Sequence, residues 1–253
     1  IATDLTIDLE ATASTELTAG ATISIAADKT LTITSNDGDD DSFARLDVTG
    51  ADTFEIGGGT ASIVLANDET ELALTAAQAT THAITGSGQA FVTDLVSTTD
   101  ADLDGIATDL TIDLKATAST ALTTGATISI AADKTLTVTS TTGDSAQSRL
   151  DVTGADTFEV GGGTASIVLA NSETELALTA AQATTHAITG SGQAFVTDLA
   201  STTDADLDGI ATDLTIDLEA TASTALTTGA TISIAANKTL TVTSTTGDSA
   251  QSR

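Results

Sequence analysis

Leu46-Asp47-Val48-Thr49-Gly50-Ala51-Asp52-Thr53-Phe54-Glu55 returns residue for residue as Leu150 through Glu159, an offset of 104 residues (150 − 46). The match does not stop there. Set against Leu46–Arg149, the segment Leu150–Arg253 differs at five positions: Ile56/Val160, Asp68/Ser172, Val96/Ala200, Lys115/Glu219 and Asp133/Asn237. Ile1–Arg45 follows Ile106–Arg149 with one extra residue in Asn36–Arg45. The chain therefore divides into a partial repeat over 1–45 and two full repeats over 46–149 and 150–253. A period this long and this regular speaks for stacked architecture, not for one isolated active site.

Within each repeat the signal is alternation with period two. Leu110-Thr111-Ile112-Asp113-Leu114, Ile128-Ser129-Ile130, Leu136-Thr137-Val138, Leu150-Asp151-Val152 and Phe158-Glu159-Val160 each place aliphatic or aromatic residues on one side and polar ones on the other. That is the pattern of a half-buried strand. Ile112 and Ile128 then face inward, and Thr111 and Ser129 face outward and are expected to tolerate charge. Glycines between the runs supply corners in a chain without proline. Thr75-Ala76-Ala77-Gln78, repeated from Thr179, reads as a threonine cap with glutamine three residues on, enough for one helical turn.

Composition narrows the fold and the partners. Apolar residues make up 40% of the chain and aromatics 2%, with no Trp, Tyr, Met, Cys or Pro. Such a core of Ile, Val, Leu and Ala suits thin stacked layers better than a globular interior filled by large side chains. The formal charge is −29, from 36 acidic and 7 basic residues. That excess leaves nothing to neutralise phosphates, so nucleic acid is excluded as a partner and an anionic membrane surface is disfavoured. No apolar run is long enough to insert in a membrane. Abundant β-branched residues and a mean hydropathy of +0.20 argue against disorder.

Two all-β folds fit these short strands. One is a parallel β-solenoid (β-helix) of tandem 104-residue repeats, with coils of about 20–27 residues and about 4.8 Å per layer. The alternative is a row of immunoglobulin-like β-sandwiches of about 100 residues each. Missing two-residue hairpin signals, absent linkers and recurrent outward threonines favour the solenoid.

Gly125–Ser140, Leu74–Ala79 and Ala83–Gly88 carry a family resemblance. They resemble coils of giant repetitive bacterial surface proteins: adhesins, S-layer-like proteins and extracellular fibres with parallel β-solenoid repeats. The resemblance spans the whole chain, on low-complexity motifs. It implies an extracellular or cell-surface location and a structural or adhesive role.

Candidate sites are few. Asp100-Ala101-Asp102-Leu103-Asp104-Gly105 and its copy Asp204, Asp206, Asp208 and Gly209 place carboxylates at positions 1, 3 and 5 before glycine. EF-hand-type loops gather oxygens around calcium in this way. Position 12 is Thr111 or Thr215 where a bidentate Glu belongs, so Asp109 or Asp113 would have to substitute, and Asp113 is expected in a strand. A solvated acidic turn is the competing reading. Asp37–Asp41, in the partial copy alone, reads as a solvated loop or a second cation site. Gly161–Gly163 lacks the Asp of calcium-binding glycine repeats and the Lys-Ser/Thr of a phosphate loop, and reads as a corner. His82 and His186 are expected as separate surface or corner residues. Catalysis would need a converging nucleophile, base and orienting group, and no enzyme activity is expected. A threonine ice-binding face would need the same Thr-x-Thr on every coil, which the sequence does not supply.

The expectation is a stiff stalk, fibre or coat whose partners are neighbouring repeats or other copies of itself. The alternative is a multivalent, calcium-dependent adhesive module for cell-surface glycan.

Overall fold

The computed structural model describes residues 1–9, 14–35, 43–80, 82–95, 102–115, 119–141, 147–184, 186–199, 206–218, 226 and 229–244. It is mostly short parallel β-strands. The helices among these residues are the single turns Ala76–Ala79 and Ala180–Ala183. Each begins in the capping box anticipated from the sequence. The Gln78 backbone N–H donates to Thr75 Oγ1, and the Thr75 N–H donates to Gln78 Oε1 at 2.8 Å.

Every strand pairing among the described residues is parallel. Leu5–Leu9, Thr30–Ser35, Ser62–Leu65 and Ile84–Gly86 lie side by side in one ladder. A second ladder has eight strands: Thr15–Glu16, Ala44–Asp47, Thr70–Thr75, Gln89–Thr93, Asp109–Asp113, Thr135–Thr139, Ser166–Leu169 and Ile188–Gly190. A third has six: Thr120–Ala121, Ser148–Asp151, Thr174–Thr179, Gln193–Thr197, Asp213–Asp217 and Leu240–Thr243. Two pairs complete the set, Thr22–Ile25 with Thr53–Ile56 and Thr127–Ile130 with Thr157–Val160. Immunoglobulin-like sandwiches are antiparallel, so that alternative does not fit.

Register explains why these residues form these strands. Leu46, Leu72, Ala90, Leu110, Leu136, Ile167 and Ile188 are successive partners across the eight-stranded ladder. None of the seven is more than 2% exposed. Leu31, Ile63 and Ile84 make the same kind of column in the four-stranded ladder, all at 0%. A one-residue slip would turn each column outward, so burial locks the register. Each Leu or Ile in these columns contributes about 1.5–3 kcal/mol relative to exposure.

The spacing between partners is less even than the sequence suggested. It runs from 18 residues (Leu72 to Ala90) to 32 (Leu31 to Ile63), because corner loops absorb the difference. Where the corner is tightest a side chain cannot fit. Gly86 has φ +116°, and a Cβ there would lie 2.0 Å from the Leu65 carbonyl oxygen.

Candidate functional site

Acidic residues at the corners and strand ends accept hydrogen bonds from the following layer. Asp28 Oδ1 accepts the Thr60 N–H at 2.8 Å and the Thr60 hydroxyl at 3.2 Å, and Asp133 repeats this with Thr164. Asp28 takes a positive φ of 59° to do so. Asp109 Oδ1 accepts the Thr135 N–H at 2.8 Å. Asp113 accepts the Thr141 N–H at 3.1 Å on one oxygen and its hydroxyl at 2.5 Å on the other. Each bond joins residues 26 to 32 apart, so these carboxylates tie one layer to the next.

The acidic turn proposed for calcium shares this chemistry. Asp100 and Asp204 lie outside the described residues, as does Asp37–Asp41. Asp102 Oδ1 accepts the Thr127 hydroxyl at 2.6 Å and the Asp104 N–H at 3.3 Å. Asp206 does the same with Thr231 at 3.0 Å and Asp208 at 3.3 Å. The Thr127 hydroxyl holds the Asp102 carboxyl below the usual carboxylate range. Asp104, hydrogen-bonded to Asp102, is pushed up, and Asp206 and Asp208 shift in the same opposed directions. Asp113 sits in a strand as expected, and so does Asp109. Asp109 accepts the Thr135 N–H, and Asp113 accepts the Thr141 N–H and hydroxyl. Among the described residues no three His, Cys, Asp or Glu side chains group to hold a metal.

The histidines are corner residues, but His82 is not at the surface. It is 6% exposed and packs edge-on to Phe54, ring centroids 5.5 Å apart. His186 is half-buried, 6.3 Å from Phe158 in the same arrangement, and loss of solvent lowers its pKa. Beside each helical turn lies a shallow groove. One, of about 400 Å³, is lined by Asp156, Phe158, Glu159, Gln182, Thr184 and His186 among others. Its counterpart of about 270 Å³ is lined by Asp52, Phe54, Glu55 and Gln78 among others.

A second cluster lies on the outward side of the eight-stranded ladder, where the sequence suggested only polar residues. Ala90 and Val92 face in, so Phe91 faces out, yet it is 9% exposed. The Arg45 guanidinium covers its ring at 4.2 Å and pairs with Glu71. Burial pushes the Glu71 carboxyl up, with Arg45 opposing. Arg149 lies 4.3 Å over Phe195 and pairs with Glu175 at 2.6 Å in the same way. Next to Phe91, Thr111 is only 5% exposed and accepts Gln89 Nε2 at 2.6 Å. The expectation that Thr111 tolerates charge is therefore corrected. The sequence shows a phenylalanine at an outward alternation position, but not the arginine that covers it from 46 residues earlier in the chain.

Comparison with family models, with curated proteins and with solved structures gives no match.

Proposed function

We propose that this chain is a segment of parallel β-solenoid serving as a stiff structural module, a stalk, fibre or coat at a cell's outer surface, without enzymatic activity. One observation carries the reading. The eight-stranded ladder runs without interruption from Thr15–Glu16 to Ile188–Gly190, across the boundary between the repeats at Arg149 and Leu150. Copies that share one hydrogen-bonded sheet resist bending between them, unlike domains joined by linkers. The Asp–Thr bonds between strands add lateral ties, and −29 of charge keeps the rods apart in solution. The outer-surface location rests on the resemblance of Gly125–Ser140 to coils of bacterial surface proteins. No described helix is long and apolar enough to cross a membrane.

The second reading, a multivalent adhesive module that takes calcium at Asp102, Asp104, Asp206 and Asp208 and binds surface glycan, is favoured by the recurring grooves beside Phe54 and Phe158. Carboxylates, threonine hydroxyls and a glutamine there could meet sugar hydroxyls.

Imaging of the chain, and of chains extended by further repeats, tests the first reading. A uniform rod that lengthens by about 21 Å per repeat, from about 4.8 Å per layer, supports it. A string of separate beads overturns it. Saturable glycan binding by the isolated chain moves the assignment to the second.

A further inference from the structure

Counterpart strands of successive repeats do not fall in the same ladder. Leu5–Leu9, Thr30–Ser35, Ser62–Leu65 and Ile84–Gly86 make the four-stranded ladder. Their counterparts Asp109–Asp113, Thr135–Thr139, Ser166–Leu169 and Ile188–Gly190 belong to the eight-stranded one, entering it through the pairing of Ala90 with Leu110. The next counterpart, Asp213–Asp217, moves again, into the six-stranded ladder through Ala194 and Leu214. The other strands shift likewise. Thr22–Ile25 and Thr53–Ile56 pair by themselves, whereas Thr127–Ile130 and Thr157–Val160 continue the four-stranded ladder. The bridges Ile84–Ile106 and Asp102–Thr127 make that connection.

Among the described residues from Leu5 to Leu110 the chain lays down thirteen wall segments. Ten are strands, one is the helical turn Ala76–Ala79, one is Leu95, whose carbonyl accepts the Thr120 hydroxyl, and one is 102–106. Thirteen segments on three walls are four turns and one wall more. Resting on the solenoid reading above, we infer that each repeat closes four and one-third turns, so successive repeats are rotated by a third of a revolution about the axis.

The rotation decides what an array can touch. The turn of Asp102 and Asp104 lies on the four-stranded ladder, beside Thr127. That of Asp206 and Asp208 lies on the eight-stranded ladder, beside Thr231 and below the bridge of Ile188 to Ile210. The grooves beside Phe54 and Phe158 are parted in the same way. Any surface carried once per repeat therefore faces three directions in turn, and the same direction returns after thirteen layers, about 62 Å. Such a surface fits several discrete partners set around the axis, and consecutive copies cannot engage one flat sheet together.

The chain has no cysteine, so pairs of spin labels read this directly. Glu55 and Glu159 are counterparts, both exposed, and about 21 Å apart along the axis at 4.8 Å per layer. Thr32 and Glu159 are five layers apart on one ladder, about 24 Å, through Val64, Thr85, the 102–106 segment and Ser129. Glu55→Cys with Glu159→Cys should give the longer distance, about 30 Å, once the separation of walls whose sheets lie about 10 Å apart and the outward reach of the labels are added. Thr32→Cys with Glu159→Cys should give about 24 Å. Val64→Cys with Glu159→Cys, four layers and about 19 Å, is the second same-ladder reporter. A Glu55–Glu159 distance shorter than the Thr32–Glu159 distance overturns the rotation while leaving the solenoid intact. If both same-ladder pairs instead lie beyond about 40 Å, well over five layers, the solenoid itself fails.

Discussion

Leu136-Thr137-Val138-Thr139 and Leu240-Thr241-Val242-Thr243 are the same four residues in two copies, yet they meet different surroundings. Leu136 and Val138 are fully buried, with Ser166–Leu169 hydrogen-bonded along their far side. Among the described residues, Leu240 and Val242 pair with Asp213–Asp217 on one side alone and stand 38% and 57% exposed. Ile130 at 4% and Ile234 at 36%, and Leu122 at 2% and Leu226 at 45%, repeat the contrast. Identical sequence thus has no fixed burial here. The next layer supplies it, as expected of a stack stabilised by contacts between neighbours.

The largest effect that can break this comparison comes from placing a charge at both positions. Leu136→Asp buries an unpaired carboxylate between two strands and should destabilise by several kcal/mol or abolish folding. Leu240→Asp should cost under about 1 kcal/mol. Thermal and urea unfolding compare the two, and equal losses would mean that layer stacking does not govern stability. Leu136→Ala against Leu240→Ala is the milder form, with about 2–5 kcal/mol expected for the buried site.

An intermediate effect comes from the outward side. Thr111→Asp places a carboxylate against half-buried Gln89 and buried Phe91 and within the field of Asp109 and Asp113. It should cost about 1–3 kcal/mol. Ser129→Asp, outward but half-buried on another wall, should stay near 0.5 kcal/mol. Similar small losses at both would mean the cluster around Arg45 and Phe91 is loosely packed in solution. That cluster also shows where the sequence stops being legible. Alternation in Leu110–Leu114 or Leu136–Val138 fixes which residues point inward, because side-chain direction is a local property of the strand. The capping box at Thr75 is local too, and was readable for the same reason. Whether an outward residue is covered depends on the strand lying next to it, as Arg45 lies over Phe91 across 46 residues of chain. The step of one wall per repeat depends on every corner length together, and no single motif encodes it. Acidic spacing at Asp102 and Asp104 suggested calcium, but it did not disclose the hydroxyl of Thr127, which arrives from the following layer.

A smaller effect is expected from acid. The Thr60 N–H and hydroxyl hold the Asp28 carboxyl below its ordinary value. A carboxylate with a depressed folded pKa adds stability that is complete above the unfolded value and disappears as pH falls through the folded one. Melting temperature should therefore drop as pH falls below about 4, and Asp28→Asn should flatten part of that slope. Asparagine already stands at the counterpart position 237 with a similar positive φ of 63°, so the corner itself accepts the substitution. An unchanged slope in Asp28→Asn would assign acid sensitivity elsewhere.

The smallest effect is calcium, and it needs the most careful variant. Asp102→Ala would remove the bond to Thr127 along with any ligand, so its loss of stability would not separate a metal site from a structural tie. Asp104→Ala with Asp208→Ala leaves that bond in place and removes the two carboxyls whose pKa values are raised by their neighbours. If these turns hold calcium with the roughly millimolar affinity of extracellular sites, an ion concentration equal to Kd adds about 0.4 kcal/mol per site. That is a rise of about a degree or two in melting temperature. The double variant should melt identically with calcium and with chelator. Magnesium at the same concentration should do less, because it gives up its water reluctantly. If the unaltered chain also melts identically in calcium and in chelator, the turns hold no stabilising ion, and the carboxylates serve only to join one layer to the next.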